Sequence, residues 1–373
     1  MARSLPASVT GREVIFGGGL HAAVYAATRA AMGYDPPVVF EKQLATGGVF
    51  AQLLEFRMNS IGNASVRSVE SPGPSRVVPM SASDDLNWIP NSAHQVRDLA
   101  GGKEYPSSSD MCRAVQRTLK DHAELYTGAA ELRFDRNARV TTFGGESLGL
   151  AKRIIFAGGL VPKDGYKTGP AVMSGFDFLR KPPMDLSDLR FAIVGSGDTA
   201  AQVAEFLLGQ GMITPSTLPR QIHWYGDTSM PGTKDVWMVN SHARWAGLGR
   251  HFPQRDGVYT GVVRPYPVRG NMISLGNSAM VNGQVYDMAV MCTGVQPATC
   301  PSTATDTFTV GGMTVARCNS SQTADGLPKV FKIGTAAALD TRYRPYQSRF
   351  TAASEAIYNL GPRTAALAAY LDR

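Results

Sequence analysis

Three small residues in G-x-G-x-x-A spacing, Gly17, Gly19 and Ala22, follow the apolar run Glu13-Val14-Ile15-Phe16 and open an alanine-rich stretch from His21 to Met32. Read as strand, tight turn and helix, each has a mechanical duty. The first permits the turn, the second lets backbone approach a pyrophosphate, and the third lets helix pack closely on strand. The helix N-terminus at Leu20 then offers free N–H groups to the phosphates. A second apolar run, Val38-Val39-Phe40, closes on Glu41, 24 positions after Gly17. A carboxylate at the end of the next parallel strand can accept bonds from both hydroxyls of a ribose. These residue types in this order point to dinucleotide binding.

The pattern recurs. Arg190-Phe191-Ala192-Ile193-Val194 reads as a strand, Gly195-Ser196-Gly197-Asp198-Thr199-Ala200 as the turn and Ala201 to Gly209 as the helix, 178 residues after the first turn. Two such turns, each after an apolar strand and before a helix, imply two dinucleotide-binding units in one chain.

The rest of the composition bounds the class. At about 150 residues per domain, 373 residues allow two to three domains. Hydrophobic residues at 43% and charged residues at 18% describe a globular protein, excluding disorder, collagen and coiled coil. Cys112, Cys292, Cys300 and Cys318 contain no C-x-x-C pair, which removes a zinc ribbon, a thioredoxin-type dithiol and a disulfide scaffold. No metal site is expected, and a reducing compartment, the cytoplasm, is. Met1 to Arg12 lack an apolar core of signal-peptide length, and no run approaches the roughly 20 apolar residues of a membrane span. The 37 basic and 30 acidic residues leave +7, but the positive residues are scattered. The richest stretch, Arg244 to Arg269, reads as a solvated loop or a face for an anionic ligand rather than a nucleic-acid surface.

After Glu41-Lys42 comes Ala45-Thr46-Gly47-Gly48-Val49-Phe50, a G-G-hydrophobic-aromatic turn. In these residues the sequence resembles the two-dinucleotide-binding-domain flavoproteins, the flavin-containing monooxygenases and thioredoxin-reductase-like enzymes. The resemblance implies FAD at Gly17, Gly19, Leu20, Glu41, Lys42, Gly48, Val49 and Phe50, and NADH or NADPH at Gly195, Ser196, Gly197, Asp198, Thr199 and Asp227. Arg153 to Gly159 resembles the family's exit strand, with Ala157 and Gly158 at the flavin, and Ala289 to Pro297 is its counterpart in the second unit. Lys329 to Thr335 stands where the family has a strand ending in Gly-Asp. Thr335 after Gly334 offers a hydroxyl in place of the carboxylate that binds the ribityl chain. The implied fold is α/β, with two Rossmann-like three-layer domains, the second inserted in the first. The FAD-binding domain is then 1–162 plus 326–373 and the NAD(P)H-binding domain 163–325.

Asp227 lies 32 residues after Gly195, at the end of the strand Gln221 to Gly226. A carboxylate there repels a 2′-phosphate, which leans towards NADH; Arg220, Lys234 and Arg244 keep NADPH open. Without a dithiol, the chemistry expected from the resemblance is monooxygenation of a small molecule by reduced flavin and molecular oxygen. The alternatives are a flavin oxidase or reductase whose second unit binds no nicotinamide, and a non-enzymatic flavin-binding or basic-surface protein. Asn59 resembles an amide that approaches the flavin in the monooxygenases. Arg342 lies between the Gly334 landmark and an expected helix from Phe350 to Leu360, with Gly361-Pro362 as its stop. The family's F-x-G-x-x-x-H segment finds only a partial match at Gly169 to Phe178, with Met173 where histidine belongs. A homodimer is left open.

Overall fold

The structure, a computed structural model, describes residues 5–48, 51, 108–162, 169–195, 198–211, 213–226, 263–267, 273–310, 313–334, 337 and 360–372. The chain enters through β1 (Glu13–Phe16), β2 (Val38–Glu41), β3 (Glu124–Thr127) and β4 (Arg153–Phe156). It then builds a separate sheet from β5 (Val172–Ser174), β6 (Arg190–Val194), β7 (Gln221–Gly226), β8 (Val263–Pro267) and β9 (Met288–Met291). It returns to the first sheet with β10 (Ala304–Val310), β11 (Met313–Cys318) and β12 (Val330–Lys332). The helices are α1 (Leu20–Ala31), α2 (Ser108–His122), α3 (Gly175–Arg180), α4 (Asp198–Leu207) and α5 (Leu360–Leu371).

The first sheet runs β10-β11-β12-β4-β1-β2-β3. From β12 to β3 every neighbouring pair is parallel. The second sheet runs β8-β7-β6-β9-β5, parallel throughout. In each, the strand that feeds a glycine turn, β1 or β6, lies where the order reverses: β2 and β7 on one side, β4 and β9 on the other. Open α/β sheets bind ligands at that switch point, beyond the carboxyl ends of the strands.

Continuous apolar runs build these strands because both faces are covered. Val14, Ile15, Val38, Val39, Ile154 and Ile155 are fully buried, as are Phe191, Ala192 and Ile193 in the second sheet. The buried face of α1, Leu20 and Ala22 to Ala27, packs in one cluster with Ile15 and Val39 of the first sheet, Met111, Val115 and Leu119 of α2 and Leu367 and Ala368 of α5. After β4 and after β9 the chain leaves its sheet, and Leu160–Pro162 pairs antiparallel with Val295–Pro297.

A buried ionic cluster ties the far end of the chain to the first sheet. Arg153, 1% exposed, donates to Glu13 Oε2 at 3.2 Å and to the carbonyl of Leu371 at 2.5 Å. Arg29 pairs with Glu13 at 3.3 Å and with Asp372. Two guanidinium groups thus meet two carboxylates, which is what allows charge this deep. Burial, and next the charge of Glu13, hold the Tyr25 hydroxyl well above the ordinary tyrosine range.

One expectation is corrected. Gly361 and Pro362 do not stop a helix; they lie in the first turn of α5. The segment around Met173 is ordered: Met173 sits inside β5, paired with Val290 of β9, and Ser174 caps α3 by accepting from the Asp177 N–H at 3.0 Å. Among the described residues no helix is long and apolar enough to cross a membrane, and no group of three or more His, Cys, Asp or Glu is placed to hold a metal ion.

Candidate dinucleotide sites

At the end of β1 the chain turns at Gly17, with φ +110°. The Gly17 N–H donates to the Phe40 carbonyl at 2.8 Å, and the Ala157 N–H donates to the Phe16 carbonyl at 2.8 Å. The ends of β2 and β4 therefore close on the turn from both sides. A Cβ on Gly17 would lie 2.4 Å from the carbonyl oxygen of Ala157, so the position requires glycine on both sterics and φ.

Glu41 fixes the next peptide. Its Oε2 accepts the Gly18 N–H at 2.7 Å and its Oε1 the Gln43 N–H at 2.8 Å. The side chain is buried, 6% exposed, at the mouth of the turn. The Gly18 carbonyl in turn accepts the Gly47 N–H at 2.8 Å, so the two glycine turns are bonded to one another. Gly48 and Gly19 face across the gap, where a Cβ on Gly48 would stand 3.2 Å from the Cα of Gly19. Beneath them, Gln116 Nε2 and Cys112 Sγ hold the Thr46 carbonyl at 3.1 and 3.3 Å. Burial pushes the Cys112 thiol up from its ordinary range. Leu20 is buried as the first residue of α1, whose first turn carries no acidic residue and no side-chain cap. Lys42 is exposed beside Glu41.

The third strand end joins the same place. Ile333 N–H donates to the Phe156 carbonyl at 3.1 Å, and Gly334 follows with φ +75°. The His21 ring lies over Gly334, where a Cβ would come 2.8 Å from its Cγ. Gly17, Gly19, Glu41, Gly48, Ala157, Gly158 and Gly334, expected on sequence grounds, thus gather at the carboxyl ends of β1, β2, β4 and β12.

The second turn repeats the first bond for bond. The Gly195 N–H donates to the Tyr225 carbonyl at 2.8 Å, and the Cys292 N–H donates to the Val194 carbonyl at 2.6 Å. Gly195 has φ +129°, and a Cβ there would lie 2.1 Å from the Cys292 carbonyl oxygen. Thr199, in the first turn of α4, packs against Gly175 at the start of α3, with the Cys292 thiol beside them. Desolvation raises that thiol far above the ordinary cysteine range.

The two turns differ in one respect. Phe16 pairs with Phe40 and Val194 with Tyr225, so the residue in the register position of Glu41 is Gly226, and Asp227 comes one residue later. The peptide that Glu41 holds by its N–H in the first turn is held by its carbonyl in the second: Gly195 O accepts Trp224 Nε1–H at 2.6 Å. Trp224 was not among the residues expected from sequence, where it reads only as an apolar strand residue. Val49, Phe50, Asn59, Ser196, Gly197, Asp227, Thr335 and Arg342 lie outside the described residues; of Asp198, only its place at the start of α4 is described.

No protein-family model matches the sequence, and no curated protein matches it. Solved structures match over nearly the whole chain. A flavin-containing monooxygenase from Stenotrophomonas maltophilia is 16% identical, with TM-score 0.50 over 97% of this chain and 99% of that one. The bacillithiol disulfide reductase of Bacillus cereus is 13% identical, with TM-score 0.54 over 96% and 99%. An ornithine N-hydroxylase from Kutzneria sp. 744, solved with reduced FAD, NADP+ and L-ornithine, is 14% identical, with TM-score 0.58 over 98% and 99%.

The chain has the fold of these flavoproteins.

At this identity the likeness establishes the fold alone. The fold is shared both by oxygen-using enzymes and by disulfide reductases, so the chemistry has to be argued from the residues at the two turns.

Proposed function

We propose that the protein is an FAD-dependent oxidoreductase with two Rossmann-like domains, reduced by NADH or NADPH, that acts as a monooxygenase on a small molecule. The division is 1–162 plus 326–373 for the FAD domain, with 163–325 inserted as the nicotinamide domain. What supports it is the order in which strands join the sheets: β1 to β4, then β5 to β9 in a sheet of their own, then β10 to β12 back in the first. The observation that carries the function is the repeated turn, Gly17 against Ala157 and Gly195 against Cys292, with backbone so close that no side chain fits.

The residues present fit FAD. Gly19 and Gly48 bring two stretches of bare backbone close together beside the turn, and the first turn of α1 presents N–H groups with no acid to oppose a diphosphate. Glu41 holds the Gly18 amide and carries the lone pairs to accept from the adenosine ribose. FAD, when bound, supplies hydride acceptance and the reactivity of its reduced form towards oxygen. The chain's own part is to hold each nucleotide by its phosphates and riboses, one at each switch point. The Cys112, Gln116 and Thr46 contacts keep the 47–48 turn against the first. With no C-x-x-C pair in the chain, a dithiol relay of the thioredoxin-reductase type is disfavoured, and oxygen is the acceptor of choice.

Aerobic turnover tests this reading. The FAD-loaded protein should consume NADH or NADPH with matching oxygen uptake, and a true substrate should appear with one added oxygen atom. Consumption of neither nucleotide would reject the nicotinamide part, leaving a flavin oxidase fed by its substrate.

A further inference from the structure

We infer that Trp224 is the positioning residue of the second dinucleotide turn, holding by its indole N–H the carbonyl edge of the peptide whose counterpart in the first turn Glu41 holds by the N–H edge. The inference rests on the reading that the second turn binds a nicotinamide nucleotide.

Gly17 and Gly195 make the same backbone bonds to β2 and β7, so the residues after Phe40 and after Tyr225 occupy one structural position. In the first turn Glu41 stands there and accepts the Gly18 N–H at 2.7 Å. In the second, Gly226 stands there and has no side chain with which to accept anything. A glycine turn held only by backbone at its root can rotate its first peptide, and a rotated peptide no longer aims its dipole at a phosphate.

Trp224 removes that freedom from the other side. It lies on β7, fully buried, in register with Ile193 of β6, and Nε1–H reaches the Gly195 carbonyl at 2.6 Å. In the first sheet the corresponding residue is Val39, paired with Ile15, which has no donor. A trans peptide points its C=O and N–H in opposite directions. Holding the Gly195 carbonyl at 2.6 Å therefore restrains rotation of the peptide that leaves Gly195. Each turn thus has one clamp on the same peptide: a carboxylate on the N–H in the first, an indole on the carbonyl in the second. The second arrangement leaves the strand-end position without a charge, so neither a 2′-hydroxyl nor a 2′-phosphate meets a carboxylate at residue 226.

The test is Trp224→Phe, which keeps most of the ring and deletes the N–H. Binding of NADH and NADPH is titrated on the FAD-loaded protein, and reduction is followed anaerobically. A net hydrogen bond near the upper end of its usual worth corresponds to a Kd or KM for the preferred nucleotide raised roughly tenfold. The reduction rate at saturation and the FAD content should be unchanged. A purely structural role would lower FAD content and thermal midpoint without this KM-against-kcat split. An unchanged nucleotide Kd in Trp224→Phe overturns the inference; a wild-type protein that binds neither nucleotide overturns the reading beneath it. A measurement on wild type guards against a variant that does not fold. With 15N-tryptophan labelling, the slowest-exchanging indole N–H should shift when nucleotide is added, and an unshifted resonance at saturation contradicts the assignment.

Discussion

Glu41, at the end of β2, accepts the amide of Gly18 at 2.7 Å, so that the acid proposed to read a ribose also clamps the turn proposed to hold the phosphates. Both duties fall on one buried carboxylate. Glu41→Ala leaves the Gly18 N–H without its acceptor and removes the proposed ribose contact, which at about 1–3 kcal/mol for an orphaned buried donor predicts FAD affinity reduced at least roughly tenfold. Glu41→Gln retains an acceptor oxygen and should lose less. Flavin fluorescence titration of the apoprotein checks the order wild type, Gln, Ala; equal affinities would contradict the dual role.

The glycines at the two switch points should separate the two nucleotides. Gly17→Ala and Gly195→Ala each force a Cβ within 2.4 and 2.1 Å of a carbonyl oxygen at positive φ. Strain of this kind costs about 1–3 kcal/mol even where the neighbour moves. Gly17→Ala should be purified without flavin, whereas Gly195→Ala should retain flavin but fail to be reduced by nicotinamide. Absorbance spectra before and after anaerobic NADH and NADPH decide between this pattern and a common loss of both.

Glu13, Arg29, Arg153 and Asp372 form a buried ionic cluster, with the exposed Lys152 reaching Asp372 at 3.8 Å from outside, so deleting Arg153 strands Glu13. Arg153→Met leaves the buried Glu13 with one cation fewer and frees the carbonyl of Leu371. Breaking a buried pair from one side costs about 3–5 kcal/mol, to be read as a lower urea midpoint. An unchanged midpoint would show that the cluster contributes nothing net.

Alkaline pH should weaken the fold through Cys292 and Tyr25, whose proton affinities are raised by burial. Both stay protonated in the folded chain at pH values where the unfolded chain ionises, so the unfolded state binds fewer protons and stability falls as pH rises. The decline should begin at about pH 8.5, where an exposed thiol starts to titrate, and steepen near pH 10 with tyrosine. Denaturant unfolding across that range, compared with Cys292→Ala, gives the slope; a flat profile contradicts it. Below that range neither group changes stability.

The glycine turns and the strands before them were legible because local residue type dictates them: only glycine fits Gly17 and Gly195, and an unbroken apolar run such as Val38-Val39-Phe40 suits a strand covered on both faces. The order of the landmarks suggested an inserted second domain, which stands as a proposal; the strands themselves form one sheet from β1 to β4 with β10 to β12 and another from β5 to β9. What sequence hid were relations across long separations. The indole of Trp224 meets Gly195 only because two parallel strands align in one register, and Arg153 meets Leu371 across 218 positions. Nor does counting from Gly195 to Asp227 reveal that the register places Gly226, not Asp227, opposite the position of Glu41. Gly361-Pro362 misled because proline punctuates both ends of helices and only three-dimensional context tells start from stop.

The central claim is that one nucleotide at the first turn takes electrons from another at the second. An anaerobic titration of the purified, FAD-saturated protein with NADH and NADPH in parallel, followed in the visible absorbance band of oxidised flavin, tests it most directly. The account predicts a yellow protein with FAD bound stoichiometrically, bleached by at least one nucleotide without added substrate and recoloured by oxygen. A protein that binds no flavin, or whose bound flavin keeps its colour with both nucleotides, would contradict it.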